Sequence, residues 1–345
     1  MTCSSSSSSW SIDTTANSVR PCEAPQQPQM WRPTNDAGGV AGSVRRFWRR
    51  SYASDYVGLA LLFAAYLGAQ FFVEPFHRMF TLDDHAKQYP HALVQRVSNL
   101  ENIIYAGVGP LVFIIMWSLV FRPGLHKTHV TIFGLLVSLF LSSLLTDIIK
   151  NAVGRPRPDL IARCKPQPGT PEHELVTISV CTETNHHRLH DGWRSFPSGH
   201  SSWAFSGLGY LALFLAGQLR IFRPHADLSR VLMVMAPLVG ASLIAMSRLA
   251  DYRHDVFDVT CGSLLGMLVA YFSYRRYYRP LNHPKCDVPY PSPAESEAAK
   301  IAKSRDVESQ VHPDFDLDDM SDDEVQTYPL THARSPETGG RSEPP

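Results

Sequence analysis

The sequence predicts an all-α protein: a bundle of six transmembrane helices over residues 55–275, between two disordered tails. Three observations predict this class, namely six long apolar blocks, basic residues concentrated in their short connections, and polar ends of low complexity. The apolar blocks span residues 56–73, 102–121, 130–149, 201–219, 231–247 and 256–274. Each block approaches the roughly 20 residues that cross a bilayer. Because the blocks lack the polar stripe of a surface helix, a membrane bundle is favoured over six buried helices of a soluble protein.

Residues 1–50 precede the first block and are predicted to be a disordered cytosolic tail. They begin with an unbroken serine run from Ser4 to Ser9 and continue with scattered Pro, Gln, Asn and Gly. A segment of this composition has too little apolar surface to fold. It ends in a basic and aromatic cluster at residues 45–50, whose position just before the first block favours a membrane-interface anchor over a solvated linker.

Lysine and arginine in the short flanks predict the orientation of the bundle. These residues precede the first block, follow the second, fourth and sixth, and comprise Arg45, Arg46, Arg49, Arg50, Arg122, Lys127, Arg220, Arg223, Arg230, Arg275, Arg276 and Arg279. If six helices alternate in direction, all of these residues lie on one side, so both termini are predicted to be cytosolic. The longer connections 74–101, 154–200 and 251–255 then share the lumenal or extracellular side.

The C-terminal residues 281–345 form the second tail and explain a formal net charge of zero. They carry 6 Lys and Arg against 14 Asp and Glu, whereas residues 1–280 carry 26 against 18. Because so acidic a segment, rich in Pro and Ser, buries little apolar surface, it is predicted to be disordered and cytosolic. The charge balance excludes a globally basic nucleic-acid binder, so no nucleic-acid partner is expected. Six cysteines in 345 residues also exclude a disulfide-dense domain.

Three polar clusters lie at the ends of the apolar blocks. They cover residues 150–158 after the third block, 195–200 before the fourth, and 247–258 between the fifth and the sixth. In an alternating bundle, the third and fifth blocks run outward, and the fourth and sixth run inward. All three clusters therefore fall at the same non-cytosolic face of the membrane, where a shared site is expected.

The clusters contain cations suited to a phosphate group. Lys150, Arg157 and Arg248 lie near the membrane boundary, where an unpaired charge is costly and a shared anion is a natural partner. Arginine offers a planar fork to phosphate oxygens, and lysine offers a point charge. Ser198 and Gly199 begin the fourth block, where the free N–H groups of a helix N-terminus favour phosphate and glycine permits a close approach.

Two histidines and an aspartate in the same clusters indicate phosphoryl transfer. His254 and Asp258 are four residues apart, which places them on one face of a helix. A carboxylate at one imidazole nitrogen fixes the tautomer and leaves the other nitrogen free to attack phosphorus. His200 is then placed to protonate the leaving oxygen. Because the three cations would stabilise the charge that Mg²⁺ stabilises elsewhere, no metal cofactor is predicted.

The three clusters resemble the signatures of the type 2 phosphatidic acid phosphatase superfamily, the lipid phosphate phosphatases. These signatures are K-x6-R-P, P-S-G-H and S-R-x5-H-x3-D, and they match residues 150–158, 197–200 and 247–258 in full and in order. The contexts at 155–160 and 191–197 are similar to those of fungal diacylglycerol pyrophosphate and phosphatidate phosphatases. The resemblance covers residues 55–275 and leaves out both tails.

The resemblance implies a phosphohistidine mechanism that needs no metal ion. His254 would be the nucleophile, Asp258 would orient it, and His200 would act first as the acid and later as the base that activates water. The phosphate ligands would be Lys150, Arg157, Ser198, the Gly199 amide and Arg248. The substrate would be phosphatidate, lysophosphatidate or diacylglycerol pyrophosphate, entering sideways from the bilayer.

Other functions remain open at this stage. A sphingoid-base phosphate phosphatase or a lipid phosphotransferase of the same superfamily would use the same site. A non-catalytic lipid-binding membrane protein would have no need for His200, His254 and Asp258. The sequence leaves the oligomeric state open.

Acidic and basic residues near the clusters carry weaker predictions. Asp147 lies three residues before Lys150, so it either pairs with Lys150 inside the membrane or assists substrate binding. Asp251, Arg253 and Asp255 are interpreted as solvated loop charges, although Arg253 is able to add to the anion field.

The connection 154–200 also contains two cysteines and three neighbouring histidines. Cys164 and Cys181 either form a disulfide, which a lumenal or extracellular location permits, or remain two free thiols. His186, His187 and His190 match no closed zinc-site spacing, and a polar loop is favoured.

Overall fold

The described part of the chain is helical. The computed structural model describes residues 40–92, 94–224 and 226–311. Within these ranges three isolated backbone bridges occur and no strand forms, which confirms the predicted all-α class. The α-helices are α1 Val40–Arg50, α2 Ala53–Phe72, α3 Asn99–Ile103, α4 Gly109–Phe121, α5 Leu125–Val153, α6 Leu160–Cys164, α7 His186–His190, α8 Gly199–Leu219, α9 Leu228–Ala250, α10 Val256–Tyr277 and α11 Pro293–Val311. A π-helical turn, Ile104–Val108, joins α3 to α4.

Five stretches of the described chain are helices long and apolar enough to cross a membrane. They are α2, the continuous run Asn99–Phe121, α5, α9 and α10. They correspond to five of the six predicted blocks, as expected because lipid forces each spanning segment to pair its own backbone groups. The protein is therefore an integral membrane protein, while the count of six spans remains a prediction.

The fourth predicted block forms α8, which lies at the centre of the bundle. Helices α5, α9 and α10 pack around it, and most of its residues are buried. A side chain at Gly207 would overlap the Ala106 carbonyl, and Ser138 and Ser142 donate hydrogen bonds to α8 carbonyls. Small residues let neighbouring helix backbones approach closely. The serines and glycines of α8 and of its neighbours thus serve the packing of the bundle.

Part of each predicted disordered tail is helical, and over these residues the prediction is wrong. In the first tail, α1 forms and ends on Arg49 and Arg50, which favour the negative end of the helix dipole. In the second tail, α11 begins at a capping box, in which Glu295 N–H donates to Ser292 and Ser292 N–H donates to Glu295. Its Ala, Glu and Lys residues are strong helix formers. Residues 1–39 and 312–345 lie outside the described residues.

The chain between α10 and α11 packs against the bundle. The Tyr278 hydroxyl lies 2.6 Å from Thr131 Oγ1, and both side chains are buried. Cys286 is also buried, and Asp287 forms an ion pair of 3.0 Å with Arg220. Because of these contacts, the chain between α10 and α11 is packed, although disorder was predicted from residue 281 onwards.

The long connections between α2 and α3 and between α5 and α8 fold together into a cap at one end of the bundle. Phe80 and Val176 exchange two backbone hydrogen bonds, and Trp193 Nε1 donates to the Arg78 carbonyl at 2.9 Å. Cys164 and Cys181 form a disulfide, so of the two alternatives for this pair the bridge is the one present. The cap therefore has its own small apolar core and a covalent link.

All three polar clusters begin or end a helix at the cap. Helix α5 ends at Gly154, which has φ +56° and whose hydrogen faces the Phe76 carbonyl where a Cβ would overlap it. Only glycine fits there, and after this turn Arg157 lines the cavity while Arg155 bonds to Asp255 and Asp258. Helix α8 begins at its N-cap Ser198, and α10 begins at a capping box between Asp255 and Asp258.

Candidate active site

The predicted site residues meet beneath the cap, around a cavity of about 900 Å³. Those that line this cavity are Lys150, Arg157, Gly199, His200, Arg248 and His254. Ser198 and Asp258 lie behind the wall and are fully buried. The fold thus brings together residues that are up to 108 positions apart in the sequence, between Lys150 and Asp258.

His254 lies two residues before the start of α10, and Asp258 lies in the first turn of that helix. The His254 side chain is buried, and Nδ1 lies 3.7 Å from Asp258 Oδ2. This distance exceeds that of a hydrogen bond, and Nδ1 has no other hydrogen-bond partner in the described chain. Catalytic hydrogen bonds are often long before substrate binds and shorten in the complex. The pair is placed as the four-residue spacing predicts, with Nδ1 turned to the carboxylate.

Lys150 reaches the cavity from the last turn of α5 and stands beside the start of α8. Its Nζ lies 2.9 Å from the position that a Cβ on Gly199 would take, so glycine leaves room for the ammonium group and for a ligand. Within the described residues, no carboxylate lies within 4 Å of this ammonium. Lys150 is therefore a cation available to an anion in the cavity.

Ser198 occupies the N-cap of α8. Its hydroxyl accepts from the N–H and the hydroxyl of Ser201, at 3.4 and 3.0 Å. Its own N–H donates to the Asp258 carbonyl at 2.9 Å, which ties the start of α8 to the start of α10. The hydroxyl of Ser198 is thus engaged in capping, while the backbone of Gly199 faces the cavity.

Arg157 is fixed by the cap through Asp191. Its Nη2 donates to Asp191 Oδ1 at 2.7 Å, and its Nε donates to the Asp191 carbonyl at 2.8 Å. The other oxygen of Asp191 accepts from Arg163, which also pairs with Asp159 at 3.0 Å. The guanidinium of Arg157 is therefore held in one orientation at the cavity wall, with its Nη1 without a protein partner among the described residues.

Arg248 approaches from the last turn of α9. It pairs with Asp251 at 2.8 Å, and its Nη1 donates to Gln95 Oε1 at 2.9 Å. The same Nη1 lies 3.5 Å from His200 Nε2. Arg248 and His200 therefore belong to one polar wall of the cavity, beside the segment that precedes α3.

Burial and neighbouring charges shift the pKa values of the groups between the helices. Burial, together with the positive charges of Arg157 and Lys150, lowers the pKa of His254 to about 4, against the opposing effect of Asp258. Burial alone would raise the pKa of Asp191, but the guanidinium groups of Arg157 and Arg163 hold it well below the usual range. The cavity thus keeps its central imidazole neutral in a strongly positive field.

Two interpretations of the acidic residues are wrong, namely the pairing of Asp147 with Lys150 and the solvated position of Asp251. Asp147 forms an ion pair of 2.8 Å with Arg194, a residue of the cap, and not with Lys150. Asp251 is buried because it neutralises Arg248, so it is not a solvated loop charge.

Of the remaining loop charges, Asp255 is exposed as predicted, whereas Arg253 is partly buried at the cavity, where it is able to add to the anion field. The Asp255 side chain is 44% exposed. Arg253 lines the cavity, donates to the Ala92 carbonyl at 3.2 Å, and has its pKa lowered to about 10, chiefly by burial.

His186 and His190 of α7 contact each other, and His190 contacts His77 in the connection that follows α2. His190 Nδ1 lies 2.9 Å from His77 Nε2, and the rings of His186 and His190 stack with centroids 3.7 Å apart. In the chain as described, no group of three or more His, Cys, Asp or Glu is arranged to hold a metal ion.

The sequence reasoning missed four residues that hold the site together. Arg155 and Ser195 bond to Asp258, and both lie inside the signature segments, where their types were available as a signal. Gln95 and Asp191 lie in long connections and bond to Arg248 and Arg157, the arginines predicted to bind phosphate. No local pattern marks these two, because only the folded cap brings them to the cavity.

Comparison with known proteins places the chain in a family. A model of the PAP2 superfamily matches residues 131–281, which include every predicted site residue. Diacylglycerol pyrophosphate phosphatase 1 of Saccharomyces cerevisiae is 38% identical over 257 residues, which are 73% of this chain and 87% of that protein. The probable diacylglycerol pyrophosphate phosphatase 1 of Schizosaccharomyces pombe is 38% identical over 73% of this chain and 89% of its own. Lipid phosphate phosphatase 2 of Arabidopsis thaliana is 36% identical over 60% and 71%.

These relationships agree with the order of the three signatures and with their convergence at one cavity. They confirm the predicted family and the predicted class of enzyme. The chain belongs to the PAP2 superfamily, as a phosphoric monoester hydrolase of the phosphatidate phosphatase kind.

Proposed function

We propose that the protein is a Mg²⁺-independent lipid phosphate phosphatase that acts on phosphatidate, lysophosphatidate or diacylglycerol pyrophosphate through a phosphohistidine. The observation that carries this proposal is the convergence of two histidines and three cations on one cavity, with a carboxylate behind the buried histidine. Relatives named for diacylglycerol pyrophosphate and for lipid phosphates support the substrate class.

In the first step, His254 Nε2 attacks phosphorus and a P–N bond forms as the bond from phosphorus to the leaving oxygen breaks. His200 gives its proton to that oxygen. Asp258 faces the Nδ1 proton of His254 and stabilises the positive charge that develops on the ring. The leaving group is diacylglycerol from phosphatidate, monoacylglycerol from lysophosphatidate, and phosphatidate from diacylglycerol pyrophosphate.

In the second step, water attacks the phosphohistidine and its proton passes to His200. The P–N bond breaks, inorganic phosphate leaves, and His254 is neutral again. Lys150, Arg157 and Arg248 stabilise the charge on the phosphoryl oxygens in both steps, and the Gly199 N–H adds a donor at the start of α8.

An apolar flank of the cavity supports a lipid substrate that enters from the bilayer. This flank lies between α2, α3, α5 and α8, and it is formed by Tyr66, Phe71, Ile103, Phe140 and Trp203. Phe71, near the end of α2, is 75% exposed. Acyl chains would leave the cavity through this flank while the phosphate rests among the cations.

The proposed orientation places both termini in the cytosol and the cavity on the lumenal or extracellular side. Basic flanks at the opposite helix ends support it. The Cys164–Cys181 disulfide lies in the cap over the cavity, which suits an oxidising compartment.

The test is release of phosphate by the purified protein from phosphatidate in detergent micelles containing EDTA. We expect turnover in EDTA and its loss in His254→Ala. Activity that depends on added Mg²⁺ would remove the metal-free mechanism. Binding of phosphatidate without release of phosphate would indicate a non-catalytic lipid-binding protein instead. Competing alcohols that capture the phosphoryl group would indicate a transferase, and preference for a sphingoid-base phosphate would reassign the substrate.

A further inference from the structure

The first signature contains a second arginine, Arg155, that does not line the cavity. Its Nη1 donates to Asp258 Oδ1 at 2.8 Å, and its Nη2 donates to Asp255 Oδ2 at 3.0 Å. One guanidinium from the end of α5 therefore bridges the two acidic residues at the start of α10. Arginine suits this position because its planar fork reaches two acceptors at once.

The other oxygen of Asp258 is also bound. Oδ2 accepts from the Ser195 hydroxyl at 2.5 Å and from the Asp255 N–H at 3.0 Å. Since a carboxylate has about four acceptor positions, these three bonds fix its rotation and leave little freedom. With Oδ1 held by Arg155, Oδ2 is the oxygen that lies 3.7 Å from His254 Nδ1.

We propose that Arg155 is a positioning residue for phosphoryl transfer: it turns Asp258 so that Oδ2 faces His254, and its charge limits the attraction of that carboxylate for the imidazole proton. The inference rests on the proposed function, and it assigns Arg155 no contact with substrate. Backbone contacts between the signatures do not depend on this side chain, because the Ser195 N–H donates to the Arg155 carbonyl at 3.1 Å.

The charges around His254 determine the sign of the effect. They come from Asp258 on α10, Lys150 on α5, Arg157 after α5 and His200 on α8. Among them Asp258 is the negative group, and it raises the pKa of His254 against burial and against the cations. Removing the Arg155 charge leaves Asp258 less neutralised, so the His254 pKa rises and the imidazole is protonated at higher pH.

The experiment compares Arg155→Met and Arg155→Lys on phosphatidate in detergent micelles, with kcat/KM measured across the acid limb of the pH profile. Arg155→Met removes the fork and the charge, so we expect a loss of about 100-fold in kcat/KM and an acid limb about one pH unit higher. Arg155→Lys keeps the charge without the fork, so its acid limb stays in place and about tenfold of the lost rate returns.

Arg276→Met is the matched control, because Arg276 forms an Arg–Asp pair of the same 2.8 Å length with Asp55, away from the cavity. It should leave both the rate and the acid limb unchanged. If Arg155→Met does not yield folded protein in thermal unfolding, Arg155→Gln takes its place with the same expected shift.

An acid limb that stays in place in the uncharged variant, or a lysine variant as inactive as the methionine variant, overturns the inference and leaves Arg155 a structural residue. A wild-type protein that releases no phosphate from phosphatidate overturns the proposed function instead. The two failures are therefore distinguishable.

Discussion

Of the three predicted phosphate-binding cations, Lys150 is the one whose removal should most directly weaken stabilisation of the substrate phosphate. It faces the cavity, and in the described chain its ammonium has no carboxylate within 4 Å. Lys150→Ala should lower kcat/KM on phosphatidate by about 100- to 1000-fold, or roughly 3–4 kcal/mol of transition-state stabilisation. The measurement is initial-rate kinetics in mixed micelles.

Lys127→Ala is the control for this prediction, since Lys127 lies on the same helix at its opposite end. It should retain wild-type kinetics. A Lys150→Ala variant that keeps its rate within about threefold of the wild type would exclude Lys150 from phosphate binding.

The protonation of His254 predicts an acid limb at unusually low pH. Its pKa is lowered to about 4, so the imidazole is neutral above this pH and gains a proton, losing its nucleophilicity, as the pH falls through it. The phosphate group of the substrate has its own second ionisation at about pH 6, for which the rates are corrected. After this correction, kcat/KM should stay level down to about pH 5 and then fall. The measurement is a pH profile with purified protein.

His173→Ala supplies the comparison for that profile, because His173 is exposed in the cap and its pKa is raised by its hydrogen bond to Asp83. This variant should leave the limb in place. A wild-type limb close to about pH 6.5, the value of an ordinary histidine, would show that the buried imidazole of His254 is not the titrating group.

For single residues, the sequence predicted which side chains form the site but not all of the residues that hold these side chains in place. The sequence predicts local geometry well, because it gives the spacing of residues directly. The four-residue spacing of His254 and Asp258 and the position of Lys150 at a helix end are of this kind. Asp191 and Gln95 hold Arg157 and Arg248 through contacts across the cap. Such contacts depend on the tertiary fold of long connections, for which no periodic pattern exists.

The end of α5 sets the course of the first signature through Gly154. This residue has φ +56°, and a Cβ there would overlap the Phe76 carbonyl. Gly154→Ala should therefore destabilise the protein by about 2 kcal/mol or more and reduce kcat, because Arg155 and Arg157 are displaced. The measurements are thermal unfolding in detergent and turnover of phosphatidate.

Gly124→Ala separates backbone strain from collision in this test. Gly124 also has a positive φ, +95°, but a Cβ there meets nothing within 4 Å. It should cost about 1 kcal/mol of stability and leave turnover unchanged. Equal effects of the two variants would contradict the claim that the contact with Phe76 directs the signature.

Individual helices could be predicted from the sequence where contact with lipid or solvent determines the composition of the helix surface. The apolar runs of α2, α5, α9 and α10 expose large side chains, and their composition alone indicates membrane helices. Helix α8 departs from them, since its small polar residues face other helices. Helix α11 was missed because acidic composition suggested disorder, whereas the capping box of Ser292 and Glu295 and its strong helix formers outweigh it.

For the molecule as a whole, the proposed orientation predicts which ends are accessible from the cytosol. Epitope tags at both termini should be cleaved by protease added to sealed vesicles with the cytosolic face outside. Charge in the short flanks supports this result. Protection of both tags, with cleavage in the cap at the exposed turn near Gly169, would reverse the orientation.

The central claim is that His254 carries the phosphoryl group during turnover. Phosphatidate labelled in its phosphate would be mixed separately with the wild-type, His200→Ala and His254→Ala proteins. Each reaction would be quenched in base, the protein digested, and the labelled peptide identified. We expect a base-stable, acid-labile phosphoryl group on His254 of the wild-type protein, which is absent from His254→Ala and forms only slowly in His200→Ala, because that variant lacks the acid of the first step and the base of the second. Label retained in His254→Ala, or no label in any form of the enzyme while phosphate is released, would contradict it.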